Sequence, residues 1–121
     1  MIGKYGSQAL VEQWCPDLVA GNTLASYCLT EPGAGSDAAS LKSSAIKDGE
    51  HYLVNGSKVF ISGAGDSDVL VAMLRTGGEG AKGVSAFLIP ADLSGIHYGK
   101  KESKMGWNSQ PTRGITFENV R

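Results

Sequence analysis

The chain has 121 residues, room for one domain rather than several. Hydrophobic residues make up 41% and charged residues 19%, a balance that builds a core and excludes a disordered chain. Eleven basic against twelve acidic side chains leave a net charge of −1, so no broad basic field exists to hold a nucleic acid.

Surface scaling for a chain of this size gives about 6,200 Å² exposed when folded against about 18,000 Å² unfolded. No apolar run reaches the roughly 18–20 residues that span a bilayer. The stretch Met1-Ile2-Gly3-Lys4-Tyr5-Gly6-Ser7 lacks the apolar centre of a secretory signal. Neither membrane insertion nor secretion is expected. Cys15 and Cys28 form no CxxC, and two reduced thiols are favoured over a disulfide. His51 and His97 share no metal-ligand spacing with them, so no metal site is expected.

In chain order, residues 7–18 predict the one good helix. Leu10, Val11, Trp14, Cys15 and Leu18 recur at spacings of three and four and share a face. Ser7 is its expected cap, and Pro16 is expected to weaken or end it near Trp14. Beyond Gly21-Asn22 the pattern is strand-like. Leu24–Leu29 is short and apolar, residues 30–40 read as a loop, and Leu41–Lys47 alternates weakly. Asp48-Gly49 signals a hairpin into Glu50–Val54, and Asn55-Gly56 signals a second into Lys58–Ser62. Asp68–Arg75 is apolar without alternation, as in a strand covered on both faces. Gly83–Ile89 is a further apolar run, while Ile96–Lys100 and Ile115–Val120 alternate. Eight short strands separated by turns predict a mainly β protein, an antiparallel barrel or sandwich.

The segment Tyr27-Cys28-Leu29-Thr30-Glu31-Pro32-Gly33-Ala34-Gly35-Ser36-Asp37 stands apart. It runs a strand into a loop whose glycines admit a ligand close to the backbone. Its amides and the Thr30 and Ser36 hydroxyls suit an anion or the edge of a polar heterocycle. It has neither the lysine of a P-loop nor the glycine spacing of a dinucleotide fingerprint. A plain surface turn is the alternative from these residues alone.

This segment closely resembles the signature of the acyl-CoA dehydrogenases, a family of flavin enzymes. Two further stretches carry the same resemblance: Asn55-Gly56-Ser57-Lys58-Val59-Phe60-Ile61-Ser62-Gly63-Ala64, and Lys104 to Arg113 followed by Phe117-Glu118-Asn119-Val120. Three ordered motifs cover nearly the whole chain. The wording Gly106-Trp107-Asn108-Ser109-Gln110-Pro111-Thr112 is nearest to the isobutyryl-CoA dehydrogenase branch.

The resemblance implies an antiparallel β-barrel, the family's central domain, over residues 23–121. Residues 1–22 would be the remnant of an N-terminal helical domain. It implies FAD as cofactor, with Tyr27, Cys28, Leu29, Thr30, Gly33, Ala34, Gly35 and Ser36 lining it. Leu29 and Thr30 would lie near the isoalloxazine ring, the Thr30 hydroxyl at its pyrimidine edge. Ser36 would also touch the CoA part of the substrate. Phe60 would cover a ring face, with Ile61 beside it and Ser62 near the reactive nitrogen. Ser57, Lys58, Trp107 and Arg113 read as structural or interface residues, and Glu31 and Asp37 as acceptors that fix the loop. No residue matches the family's catalytic glutamate.

The implied reaction is the oxidation of a short or branched acyl-CoA to the 2,3-enoyl-CoA. Electrons would pass to an electron-transfer flavoprotein, within a homotetrameric parent. The setting would be the mitochondrial matrix in a eukaryote or the cytoplasm in a bacterium. An acyl-CoA oxidase relative and a non-catalytic β-barrel module are the open alternatives.

Overall fold

A computed structural model describes all 121 residues, Met1–Arg121. Two helices come first, α1 (Ile2–Tyr5) and α2 (Gln8–Ala20). Ser7 caps α2 as expected, its hydroxyl accepting from the Leu10 amide at 3.4 Å. Pro16 does not end it. The helix continues to Ala20 and stops where Gly21 takes a left-handed φ of 77° and donates to the Asp17 carbonyl. The Asn22 amide closes on the same carbonyl at 2.9 Å. Proline deletes one donor inside the helix, but this C-cap sets the end. The predicted apolar face of α2 is half-buried, and none of its residues is fully enclosed.

Seven strands follow: β1 (Ala25–Cys28), β2 (Ser44–Asp48), β3 (His51–Ser62), β4 (Val69–Arg75), β5 (Val84–Pro90), β6 (Ile96–Tyr98) and β7 (Thr112–Val120). They form one sheet, ordered β1-β4-β2-β3-β7-β6, with β5 on the other edge of β4, and it curls into a half-barrel. Pairing is antiparallel except that β1 runs parallel to β4, from Ala25 opposite Val69 to Cys28 opposite Ala72. A single parallel pair, Ser44 with Arg75, ties β2 to β4. As predicted, β4 is covered on both faces over most of its length, whereas β5 is only half-buried.

The Asp48-Gly49 hairpin forms, with Asp48 paired to His51. Asn55-Gly56 does not turn. It lies inside β3, which is why seven strands replace the expected eight. The physical reason is tertiary. Asn55 bonds Asn119 twice, accepting its amide at 2.9 Å and donating to its side-chain oxygen at 3.1 Å. Asn119 is itself left-handed, with φ 50°, in a bulge of β7 between Val54/Val120 and Gly56/Phe117. The conformational freedom of the Asn-Gly pair is spent on a bulged pairing rather than a reversal.

The core lies inside the curl. Cys28, Ile61, Leu70, Leu74, Ile89, Ile115, Phe117 and Val120 meet there.

Candidate functional site

β1 alternates, so Ser26 and Cys28 face the core while Ala25 and Tyr27 face out. Its continuation brings Leu29 and Thr30, both half-buried, beside β3. The Val59 amide donates to the Thr30 carbonyl at 2.9 Å, and the Ser26 hydroxyl donates to the Ser62 carbonyl at 2.8 Å. Two segments separated by about thirty positions in sequence thus lie side by side.

A second bulge shapes the far side. β3 advances three residues from Lys58 to Ile61 while β7 advances two, from Ile115 to Arg113. The extra residue reverses side-chain parity. Lys58 and Ile61 both point inward, and Phe60 is left at φ 57° with 67% of its surface exposed. A left-handed aromatic costs about 1–2 kcal/mol of backbone strain, and its exposed ring recovers nothing from burial. Ser62 is exposed on the same strand.

The carbonyls of Leu29, Thr30 and Ser62 all accept bonds from within the chain. The Thr30 and Ser62 hydroxyls engage no partner there and are free for a ligand. Phe60 and the Ser62 hydroxyl are thus presented outward next to the Thr30 segment, and Tyr27 is 48% exposed on β1.

The structure brings Leu29 and Thr30 alongside Val59–Ser62, while the Tyr27 side chain lines an apolar cavity beside α2. The side chains of Cys28 and Ile61 lie in the core, with 0% and 2% exposed, so a ligand reaches only their backbone. Burial pushes the Cys28 thiol up to about 12, although Lys58 nearby pulls the other way. Gly33, Gly35 and Ser36 are exposed on the loop, and Ala34 is buried where its backbone bridges Glu31. Beyond them, a polar cleft of about 520 Å³ opens between Asp37, Ser40, Lys42, Arg75 and Glu79. Arg75 spends its guanidinium on the carbonyls of Leu41, Ala39, Gly78 and Gly80, so it organises these loops rather than offering a free charge.

Glu31 fixes the loop as an acceptor, as the sequence suggested, and Lys58 is structural; what sequence reasoning missed is that the two pair beneath the loop. Lys58 is fully buried, and its ammonium bonds Glu31 at 2.8 Å, the Leu29 carbonyl at 3.1 Å and the Met73 carbonyl at 2.7 Å. All three of its donors are used. Glu31 also accepts the Lys42 and Ser43 amides, at 2.7 and 2.9 Å. Burial works to raise the Glu31 carboxyl, but those amides, the Lys58 ammonium and the Ser43 hydroxyl outweigh it and hold it below the ordinary range. Burial pulls Lys58 below the usual lysine value, with Glu31 working against the fall. The available signal was parity: on β3, Val54, Gly56 and Lys58 fall on alternate positions, and Val54 is an inward type.

The family model described as acyl-CoA dehydrogenase, middle domain, matches residues 26–120. The chain belongs to the acyl-CoA dehydrogenase family. Isobutyryl-CoA dehydrogenase, mitochondrial, of Dictyostelium discoideum is 54% identical over 122 residues, covering 100% of this chain and 29% of that protein. A probable acyl-CoA dehydrogenase from Mycobacterium abscessus superposes with a TM-score of 0.96 at 39% identity, over 99% of this chain and 32% of that one. A glutaryl-CoA dehydrogenase from Mycobacterium smegmatis, solved in complex with FADH2, gives a TM-score of 0.90 at 31% identity, over 99% of this chain and 30% of that one. The chain therefore spans about three tenths of the length of these acyl-CoA dehydrogenases. The resemblance of its Gly106–Thr112 wording to the isobutyryl-CoA branch agrees with the first of them.

Proposed function

We propose that this chain is the flavin-bearing central domain of an FAD-dependent acyl-CoA dehydrogenase acting on a short or branched acyl-CoA. Phe60 carries the reading: a strained, exposed aromatic beside the Thr30 backbone has no use for its own fold but suits one face of a flavin. Tyr27, Leu29, Thr30, Phe60 and Ser62 hold the ring through side chains, and Cys28, Gly33, Ala34, Gly35 and Ile61 contribute backbone. Thr30 bonds the pyrimidine edge and Ser62 lies near the reactive nitrogen. Ser36 meets the CoA portion of the substrate. Bound FAD supplies the acceptor for the β-hydride of the acyl chain. The α-proton goes to a base outside these 121 residues. Residues 1–22 belong to an adjoining helical domain and residues 23–121 to the central one.

The parent is read as a homotetramer that passes electrons to an electron-transfer flavoprotein, in the mitochondrial matrix of a eukaryote or the cytoplasm of a bacterium. The mitochondrial names of its relatives support the first setting. No helix is long and apolar enough to cross a membrane.

Titration with FAD tests the reading through flavin absorbance and fluorescence. Saturable binding is expected, weakened by about tenfold in Thr30→Ala and in Phe60→Ala, as for loss of one or two oriented contacts. Affinity is expected to be weak, because the family's helical domains wall much of the cleft. Absence of binding at high micromolar FAD would leave this chain a scaffold and the function with a longer parent.

A further inference from the structure

The Lys58–Glu31 pair is large, buried and used by no step above. A buried ion pair is a poor way to gain stability, because desolvation takes back much of what attraction supplies. Its bonds are distributed in a particular way. The Lys58 ammonium holds the Leu29 carbonyl and the Glu31 carboxylate, which are the two neighbours of Thr30. Through its own backbone, Lys58 leads into Val59, whose amide holds the Thr30 carbonyl, and then into the left-handed Phe60. One residue therefore grips the Thr30 segment with its side chain and delivers Phe60 with its main chain. Its third bond, to Met73, anchors both segments to β4. Glu31 extends the grip to Lys42 and Ser43, where the loop returns to the sheet.

Resting on the flavin reading above, we propose that Lys58, paired with Glu31, is a positioning residue that sets the spacing between Thr30 and Phe60 and so the width of the flavin cradle. The two segments already share the Val59–Thr30 and Ser26–Ser62 bonds and the core contact of Cys28 and Ile61, but none of these reaches Leu29 or Glu31, the residues flanking Thr30. A saturated ammonium fixes those two from beneath, where water does not compete.

Lys58→Met alone strands a buried carboxylate and risks unfolding. The informative variant is Lys58→Met/Glu31→Gln in the full chain, which removes both charges at near-constant volume. Its melting temperature should fall by a few degrees at most, since the Leu29 and Met73 carbonyls lose a donor and one of the Lys42 and Ser43 amides loses a carboxylate oxygen. The local pattern of exchange is therefore the deciding readout. Amide hydrogen exchange should quicken at Val59 by about tenfold or more while the β4–β5 ladder keeps its rates. The FAD dissociation constant should rise by about tenfold or more, and saturated FAD should show altered fluorescence quenching.

Exchange that quickens evenly across the sheet would make the pair a general strut and overturn the proposal. An unchanged Val59 amide would overturn it too. A loosened Val59 with unchanged FAD affinity would break the link to the cradle. If the parent chain binds no FAD, the flavin reading fails instead, and the amide rates still decide whether the clamp exists. Should the double variant not fold, Glu31→Gln, which keeps the Lys58 bonds to Leu29 and Met73, is read by the same exchange and titration with a smaller rise expected.

Discussion

Phe60 and Lys58 are two positions apart on one strand and would ordinarily share a face. The bulge between Lys58 and Ile61 separates them, sending the charge inward and the aromatic outward. That inversion makes sense only with Glu31 in place to receive the ammonium. The carboxylate carries a pH consequence. Its folded value lies below the ordinary one near 4.5, so the folded state binds fewer protons than the unfolded chain in that window. The stability Glu31 contributes is fully present above about pH 4.5 and is lost as pH falls through the depressed folded value. Urea midpoints measured from pH 6 down to pH 3 should fall, and fall less in Glu31→Gln. Equal slopes for the two proteins would remove Glu31 from the account.

At the scale of elements, β3 is the organising strand. It pairs β2 along one edge and β7 along the other, with a bulge at each end of its middle section. Gly56 sits at the first bulge with φ 138°, and a Cβ there would collide with the Ser43 side chain and its Cα. L side chains rarely adopt that conformation, and Ser43 is buried, its amide bonded to Glu31 and its hydroxyl to the Ser57 carbonyl. Gly56→Ala is therefore expected to destabilise by roughly 2 kcal/mol or more, from strain and overpacking together. Chemical unfolding checks it, and a loss under about 0.5 kcal/mol, the range of ordinary surface substitutions, would contradict it. Gly49, also left-handed, meets nothing within 4 Å, so the two glycines answer different needs. One turns a hairpin; the other lets a neighbouring chain come close.

For the whole molecule, the exposed surface is 7493 Å², well above the roughly 6,200 Å² that size predicts for a compact monomer. Several large apolar side chains face out. Val19 is 88% exposed on α2, Trp107 is 80% exposed at φ 59°, and Met105 beside it is wholly open. A shallow apolar cavity runs between α2 and β1, lined by Cys15, Leu18, Val19 and Tyr27. Surfaces of this kind are covered in a longer protein or in an assembly. The 121-residue chain alone should self-associate at high concentration and bind a hydrophobic dye. Light scattering that stays monomeric, with no dye signal, would contradict this.

Much of the fold was readable in the order of residues, because its information is local. The Ser7 cap, the Asp48-Gly49 turn and the unbroken apolar run of β4 each depend on a few adjacent side chains. So did the loop chemistry of Tyr27 to Ser36 and its family likeness. Local residue patterns placed most of the strands, and the family resemblance of residues 27–37 and 55–64 pointed to a flavin. How these segments meet depends on the tertiary structure. Asn55-Gly56 became a bulge because Asn119, sixty-four positions on, took its hydrogen bonds. Pro16 failed to stop α2 because the cap at Gly21 ends it later. Lys58 became a buried clamp because Glu31, Leu29 and Met73 converge from other strands and loops. Bulges and the pairing of buried charge are set by partners across the sheet, and no window of neighbouring residues contains those partners.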